Sequence, residues 1–362
     1  MLKEISKLSF PIVIGQISFA LMSFIDTILM GQLGVAELAG GGLGAVVFQF
    51  FYVVGIGALV ATANLIAFYK GQKNTLAVHQ SLLAGVVLVL ILFVTFAIVI
   101  WNASSILLAL GQNEVTVLFS EQYLKVVVWS LLPAFGFVLM RSLVIGMGKP
   151  GAILPISLIA TILNYPLSYI LMKGEFGLPA MGIQGVALGT CIIACAMFFG
   201  LVYLSYSQQE FSNYKFWKGW GNFSRKRMNE TCRLGFPIAL AHAMEVGMFS
   251  AAALIVGLLG VNALAAHQIA LQSTTLSFMI PLGISQAVSV KVGECFGQNN
   301  IHLSTSALKS GLFLASVSAL FAGAFFLFAP EVLVDFFLPT DTMDSANYQE
   351  LLVIATGILF VA

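Results

Sequence analysis

The sequence predicts an all-α membrane protein that crosses the bilayer many times and is built from two lobes of six helices. Three observations support this class. The chain is 59% hydrophobic and 9% charged, whereas a soluble domain carries about 25% charged residues. Its apolar residues form long segments between polar loops, and part of the first half recurs in the second. This composition excludes a soluble globular protein, and we expect no nucleic-acid partner.

The first apolar segment, 10–33, contains a single ionisable residue, Asp26. At about 1.5 Å per residue, a helix of this length would cross a bilayer core of about 30 Å. An acid inside such a helix is costly unless it faces protein or water, so Asp26 is a candidate functional residue. The alternative is an acid near the helix end that reaches the membrane interface.

Ten apolar segments predict membrane spans. They cover 10–33, 43–69, 76–101, 119–147, 151–172, 182–206, 234–259, 264–292, 303–328 and 347–362. We expect an N-terminal lobe at 1–206, a basic loop at 207–233 and a C-terminal lobe at 234–362. The tenth segment reaches the last residue inside an apolar run, so we expect the second lobe to be incomplete in this sequence.

Lysine and arginine residues predict the orientation. Nearly all of the 16 fall in the segments on one side of the membrane if the N-terminus is inside. The loop 207–233 is the most basic stretch, whereas the loop 329–346 on the other side has acids and no basic residue. The positive-inside rule therefore predicts a cytoplasmic N-terminus.

A shift of 226 residues aligns the chain with itself. KLSFPI (7–12) falls on RLGFPI (233–238), GQLGVAELAG (31–40) on GLLGVNALAA (257–266), and GQKN (71–74) on GQNN (297–300). An even number of spans separates the copies, so both halves have the same membrane polarity. This predicts a parallel repeat with a pseudo-two-fold axis along the membrane normal. Two complete units would be longer than the 362 residues present.

Two acids, Asp26 and Glu245, lie well inside predicted spans. In the repeat, Asp26 aligns with Ala252 and Glu245 with Phe19, so each lobe has its own acid. The two positions differ by about two helical turns. A carboxylate in such a helix can bind a proton, or an alkali cation if other oxygens help.

Three polar side chains in later spans could supply those oxygens: Asn164, Ser168 and Thr190. Asn164 and Ser168 lie one turn apart and share a helix face. Interhelical hydrogen bonding alone is the alternative, because a polar side chain in lipid needs a partner within the bundle. His242 lies three residues before Glu245 on the same face and could tune that acid, although a structural role is the simpler interpretation.

Three prolines in the predicted spans are candidate hinges. Pro11 and Pro237 occupy matching sites at the starts of the first and seventh, and Pro281 interrupts the eighth. Such prolines bend helices and free carbonyl groups, which suits either a hinge or a water-lined cavity. The chain has no Walker A, HExxH or GxSxG sequence, so we expect neither an enzyme nor a cofactor.

The sequences FPIVIGQISFALMSFIDTILMGQLG (10–34) and FPIALAHAMEVGMFSAAALIVGLLGVNALAAHQIALQ (236–272) are long and specific. They resemble NorM-type members of the MATE family, the multidrug and toxic-compound extrusion transporters. The resemblance covers the whole chain. It implies twelve helices in two six-helix lobes around a central cavity, in agreement with the repeat.

By this resemblance, Asp26 is the central acid of a cation or proton site in the N-terminal lobe, with Asn164 beside it and Thr190 from the sixth span. A Na⁺ ion at Asp26 and Asn164 is one implied occupant. Ser168 stands where many members have Asn or Asp, so the number of ligating oxygens differs here.

In the other lobe, the resemblance makes Glu245 the acid of the C-terminal site and Gln268 a cavity residue. We place His242 at the same substrate cavity. Pro11 corresponds to a first-helix proline linked to bending, and we group Pro237 and Pro281 with it as hinge candidates.

The resemblance implies a secondary antiporter that exports amphipathic organic cations in exchange for Na⁺ or H⁺ by rocking of the two lobes. We expect a monomer among the lipids of a bacterial inner membrane. One alternative is a lipid-linked oligosaccharide flippase, which would need several cations in its cavity, and the predicted spans have few. A non-transporting membrane protein is the other alternative, and it gives no reason for an acid in each lobe.

Overall fold

The computed structural model describes residues 1–257, 261–328 and 357, and every regular element in this part is helical. The all-α class predicted from the sequence is therefore correct. The helices are α1 (Leu2–Gly31), α2 (Val35–Gly71), α3 (Thr75–Trp101), α4 (Ala103–Ala109), α5 (Glu114–Val127), α6 (Leu131–Gly146), α7 (Ile153–Lys173), α8 (Ile183–Tyr206), α9 (Arg225–Gly257), α10 (Val261–Gly297) and α11 (Ile301–Phe328).

Nine helical stretches in the described residues are long and apolar enough to cross a membrane. They match the first nine predicted spans in order. The tenth predicted span, 347–362, lies outside the described residues except for residue 357. The fourth span consists of α5 and α6, joined by the 3₁₀ turn Val128–Ser130. The helix axis therefore stays continuous through this span, although its hydrogen-bond pattern changes in the middle.

Several helices start before the predicted spans, and α2, for example, begins at Val35 rather than at residue 43. The first helix begins at Leu2 rather than at residue 10, and α9 begins at Arg225, inside the predicted loop 207–233. Apolarity marks only the part of a helix that lies in lipid, whereas the helix itself can continue through charged residues beyond it. The basic stretch at the start of α9 is therefore helical, and the linker from α8 is shorter than predicted.

The linker packs against the end of α8. It contains two 3₁₀ turns, Gln209–Tyr214 and Trp220–Asn222. Phe211 is completely buried, and the Tyr206 hydroxyl donates a 2.8 Å hydrogen bond to the Tyr214 carbonyl. These contacts fix the linker on α8.

The seventh and eighth spans pack against the first two. In this arrangement α9 contacts α2, and α10 contacts both α1 and α2. Glycines permit close approach of the backbones: a Cβ at Gly235 of α9 would meet the Ala58 carbonyl of α2, and one at Gly297 of α10 would meet the Phe68 carbonyl. Without a hydrophobic driving force between helices in lipid, such close contacts supply the packing energy.

The three predicted hinge prolines all lie inside helices: Pro11 in α1, Pro237 in α9 and Pro281 in α10. Each ring removes one backbone hydrogen bond from its helix. A fourth proline, Pro166, lies inside α7 and was not singled out from the sequence. The role of the first three as hinges stays a prediction.

The close contact at Gly235 makes a testable prediction about stability. We expect Gly235→Ala to lower the free energy of unfolding by about 1–3 kcal/mol, because the added methyl group must displace the backbone of α2. The measurement is the thermal unfolding midpoint of the purified protein in one detergent.

Gly247→Ala on the same helix is the matched control. A Cβ there would meet no atom within 4 Å, so better helix propensity should leave the protein equally stable or stabilise it by up to about 1 kcal/mol. Equal destabilisation by both substitutions would contradict the proposed contact.

Candidate functional site

Asp26 is the only carboxylate that is fully buried in the described part of the chain, with 6% of its surface exposed. Its Oδ2 atom accepts a 2.8 Å hydrogen bond from the Thr190 hydroxyl of α8. The same hydroxyl lies 3.2 Å from the Val186 carbonyl of its own helix. The other carboxylate oxygen, Oδ1, has no hydrogen-bond partner among the described residues. Because an unpaired buried oxygen is costly, Oδ1 is suited to bind a proton or a cation.

Close packing of α7 against α8 brings the other predicted ligands near Asp26. A Cβ at Gly189 would meet the side chain and backbone of Ser168, and one at Gly185 would meet the Leu171 backbone. These glycines let α8 approach α7 closely, so Ser168 lies beside the helix turn that carries Thr190. Small residues at a crossing permit this approach in membrane bundles.

Asn164 and Ser168 are completely buried, yet in the part of the chain that the structure describes the Asn164 amide oxygen and nitrogen and the Ser168 hydroxyl have no hydrogen-bond partner. Asn164 lies close enough to interact with the Asp26 carboxylate, but outside hydrogen-bond geometry. Interhelical hydrogen bonding therefore accounts for Thr190 and not for these two. Buried polar atoms without partners are rare in proteins, and here several occur around one carboxylate.

A cavity with a volume of about 80 Å³ lies beside this polar group. Asp26 and Thr190 form part of its wall. Most of the remaining wall is aromatic or contains methionine: Phe19, Phe48, Tyr52, Tyr123, Phe137, Met22, Met30 and Met197. Aromatic faces attract cations, and methionine adapts its shape to different apolar ligands.

Several of these cavity residues were missed in the sequence. Phe48 and Tyr52 are one helical turn apart and stack with ring centroids 6.0 Å apart, and Tyr52 also stacks on Phe19. Tyr123 of α5 is buried and interacts electrostatically with Asp26. The spacing of Phe48 and Tyr52 was the available signal, but core packing gives the same pattern.

Glu245 occupies a different environment. It lies on α9 with 39% of its side chain exposed, and its Oε2 atom is 3.4 Å from Nδ1 of His242. The His242 ring packs where α9 crosses α2 at Gly57. Neither residue lines the Asp26 cavity, so the structure does not unite the two acids. The side chain of Gln268 lies outside what the structure describes.

No group of three or more His, Cys, Asp and Glu side chains that could hold a metal ion occurs in the described residues. A site for an alkali cation would instead combine the Asp26 carboxylate with neutral oxygens such as those of Asn164, Ser168 and Thr190. Alkali and other hard cations prefer oxygen ligands, so this donor set fits Na⁺ in chemical type.

A family model described as MatE matches residues 11–170 and 237–362. The chain belongs to the MatE family. It is 34% identical to the probable multidrug resistance protein NorM of Pseudomonas syringae pv. tomato, over 99% of this chain and 77% of that relative. The probable NorM of Pseudomonas aeruginosa is 33% identical over 100% of this chain and 73% of the relative.

Solved structures agree with this MatE assignment in fold. The eukaryotic MATE transporter AtDTX14 has a TM-score of 0.86 at 17% identity, covering 99% of this chain and 78% of that one. An outward-facing multidrug resistance MATE transporter of the MOP superfamily has a TM-score of 0.83 at 22% identity. That match covers 100% of this chain and 80% of the other. The MatE chain is therefore a multi-pass protein of a multidrug efflux transporter family, not an enzyme, and its substrates are small molecules.

The hydrogen bond between Thr190 and Asp26 gives a prediction. We expect Thr190→Val to lower the free energy of unfolding by about 1–3 kcal/mol. Asp26 then loses the one hydrogen-bond donor that it has among the described residues, while the side chain at position 190 keeps nearly the same volume. Thr190→Ser keeps the hydroxyl and should retain most of the stability. Thermal unfolding of both variants at neutral pH is the measurement, and equal midpoints for the two would contradict the importance of this bond.

Proposed function

We propose that this MatE protein is a secondary antiporter that exports amphipathic organic cations in exchange for Na⁺ or H⁺. The observation that carries the proposal is the buried Asp26 carboxylate, with one unpaired oxygen, in the wall of a cavity rich in aromatic and methionine side chains. One wall thus combines a negative charge with a large apolar surface. This combination suits a ligand that is both cationic and apolar.

The apolar part of the cavity favours ligands of varied shape. The stacked rings of Phe19, Tyr52 and Phe48 offer flat faces, and three methionines supply flexible contacts. Few polar groups fix a ligand in one orientation. Such a wall is expected to accept several drugs with modest affinity rather than one with high selectivity.

Coupling would arise because Asp26 cannot serve a drug and a coupling ion at the same time. A proton or Na⁺ on the carboxylate removes the negative charge that holds a cationic drug. A ligand can shift a conformational equilibrium only by its different affinity for the two states. Competition at one carboxylate supplies such a difference, and the unpaired oxygens of Asn164 and Ser168 support a Na⁺ ion as well as a proton.

Glu245 is proposed as a second, unequal cation or proton site, assisted by His242. Its half-exposed position favours rapid exchange with solvent over tight retention of an ion. We propose that residues 1–206 and 234–362 form two lobes that rock against each other, and that their helices bend at Pro11, Pro237 and Pro281. We also place Gln268 at the substrate cavity. The excess of lysine and arginine in the segments on the inner side supports a cytoplasmic N-terminus. We propose that the protein is a monomer in a bacterial inner membrane.

The alternative functions receive less support from the site. A flippase for lipid-linked oligosaccharides would need several cationic side chains around its cavity to hold a pyrophosphate. Among the described residues, no Lys or Arg lines the cavity beside Asp26. A non-transporting protein would gain nothing from a buried carboxylate with an unpaired oxygen, because that oxygen only costs stability.

The first prediction from this function concerns Asp26. In proteoliposomes with pH and Na⁺ gradients imposed separately, we expect Asp26→Asn to reduce gradient-driven efflux of a cationic dye at least about tenfold, since the amide cannot bind a proton or balance a cation. Glu121→Gln is the matched control, because Glu121 forms an exposed ion pair with Lys125 at the start of a span. Efflux at the wild-type rate by Asp26→Asn would refute the proposal.

A second prediction concerns the apolar wall. We expect Phe19→Ala to raise the KM for the dye about five- to thirtyfold, because it removes an aromatic face from the cavity. Phe24→Ala is the control: it lies on the same helix, is exposed, and does not line the cavity. The measurement is the rate of dye efflux at several dye concentrations, which gives the KM of each variant. Equal KM values for both variants would show that the dye binds elsewhere.

A further inference from the structure

Arg141 is the only fully buried Lys or Arg in the described residues, with 6% of its surface exposed. Its side chain lies between α6, α1 and α10. Its Nη1 atom donates to Gln16 Oε1 at 3.3 Å, and its Nη2 atom donates to Gln286 Oε1 at 2.6 Å. Both partners are neutral amides.

No carboxylate in the described part of the chain lies within 4.0 Å of the Arg141 guanidinium. The nearby cations that do have ion pairs are all more exposed: Lys70 pairs with Glu294 at 2.8 Å, and Lys291 pairs with Glu294 at 3.2 Å. This is the reverse of the usual pattern, in which the buried charge is the paired one. An arginine stays charged at neutral pH, so Arg141 cannot escape the cost by losing its proton.

A small enclosed cavity adjoins the guanidinium. Its volume is about 20 Å³, and its polar lining residues are Asn64, Arg141, Ser142 and Gln286. No acid lines it, and it shares no lining residue with the Asp26 cavity. The Asn64 Oδ1 atom accepts a hydrogen bond from Ser289 at 3.0 Å, which leaves the amide nitrogen as the group that Asn64 can offer to a ligand.

The donors around this cavity outnumber the acceptors. A guanidinium has five N–H groups. The two hydrogen bonds to Gln16 and Gln286 use two of those of Arg141. The rest of the wall is aliphatic and contributed by α2, α6 and α10. A pocket with one net positive charge, spare N–H donors and apolar walls has the chemistry of a small-anion site.

We propose that this cavity binds a small monovalent inorganic anion, of the chloride class, against Arg141. The anion carries one negative charge, because the Arg141 guanidinium has one positive charge without an ion-pair partner. The small volume of the cavity excludes large organic anions. The bound anion would bridge Arg141 of α6, Asn64 of α2 and the region of Gln286 on α10. It would therefore stabilise the packing of α10 against the N-terminal helices, independently of the drug and coupling-ion site.

The test is a chloride titration of the purified full chain in sodium gluconate, with Na⁺ concentration and ionic strength held constant. For the wild type we expect a saturable rise in the thermal unfolding midpoint of about 2–4 °C. Arg141→Gln should abolish the chloride dependence, and Arg141→Lys should reduce it, because a compact ammonium retains the charge and loses the planar donor array. Arg233→Gln, which removes an exposed arginine from α9, should respond as the wild type does.

A wild type without a saturable chloride response, or Arg141→Gln with an undiminished one, would overturn the proposal. If Arg141→Gln does not fold, crystals of the wild type grown in bromide decide the question. An anomalous peak within about 3.5 Å of the guanidinium supports the anion site. A cavity that contains no such peak contradicts it and leaves the two glutamine oxygens as the only partners of the charge.

Discussion

Close contact between helix backbones at glycines is the constraint on which the rest of the structure depends. Lipid gives the helices no hydrophobic reason to associate, so their packing energy comes from contact at short range. Gly185 and Gly189 bring α8 against α7, and Gly235 and Gly297 bring α9 and α10 against α2. The first pair holds the helix turn of Thr190 against Ser168, and the second pair holds α9 and α10 on α2, which together with α10 lines the Arg141 cavity. The polar sites exist because the backbones can approach this closely.

Apolarity predicted the order and the class of the nine described spans, because hydropathy records burial in lipid directly. It did not predict that α9 starts at Arg225, since a helix continues through charged residues outside the lipid. Asp26, Thr190 and Asn164 were predicted as neighbours with the help of a family resemblance, and the structure brings them together. The isolation of Arg141 was not predictable, because whether a charge has a partner depends on three helices that are distant in sequence.

The two acids predicted on equivalent helices of the two halves differ in their surroundings. Asp26 is buried and has one donor and one unpaired oxygen, whereas Glu245 is half-exposed beside a histidine. The repeat relates the helices that carry them but does not copy the acids. Similar helices in the two halves can thus hold carboxylates of different chemical character, since local packing sets the access of water to each.

The Thr190 hydroxyl has one hydrogen and two acceptors within reach, the Asp26 carboxylate and the Val186 carbonyl. It can satisfy only one of them fully at a time. When the carboxylate is charged, the hydrogen is held by the stronger acceptor. When that charge is neutralised, a rotation about one side-chain bond returns the hydrogen to the backbone without leaving the hydroxyl unbonded. In the proposed transport cycle, Thr190 would then need no more than this rotation when the carboxylate gains or loses its ligand.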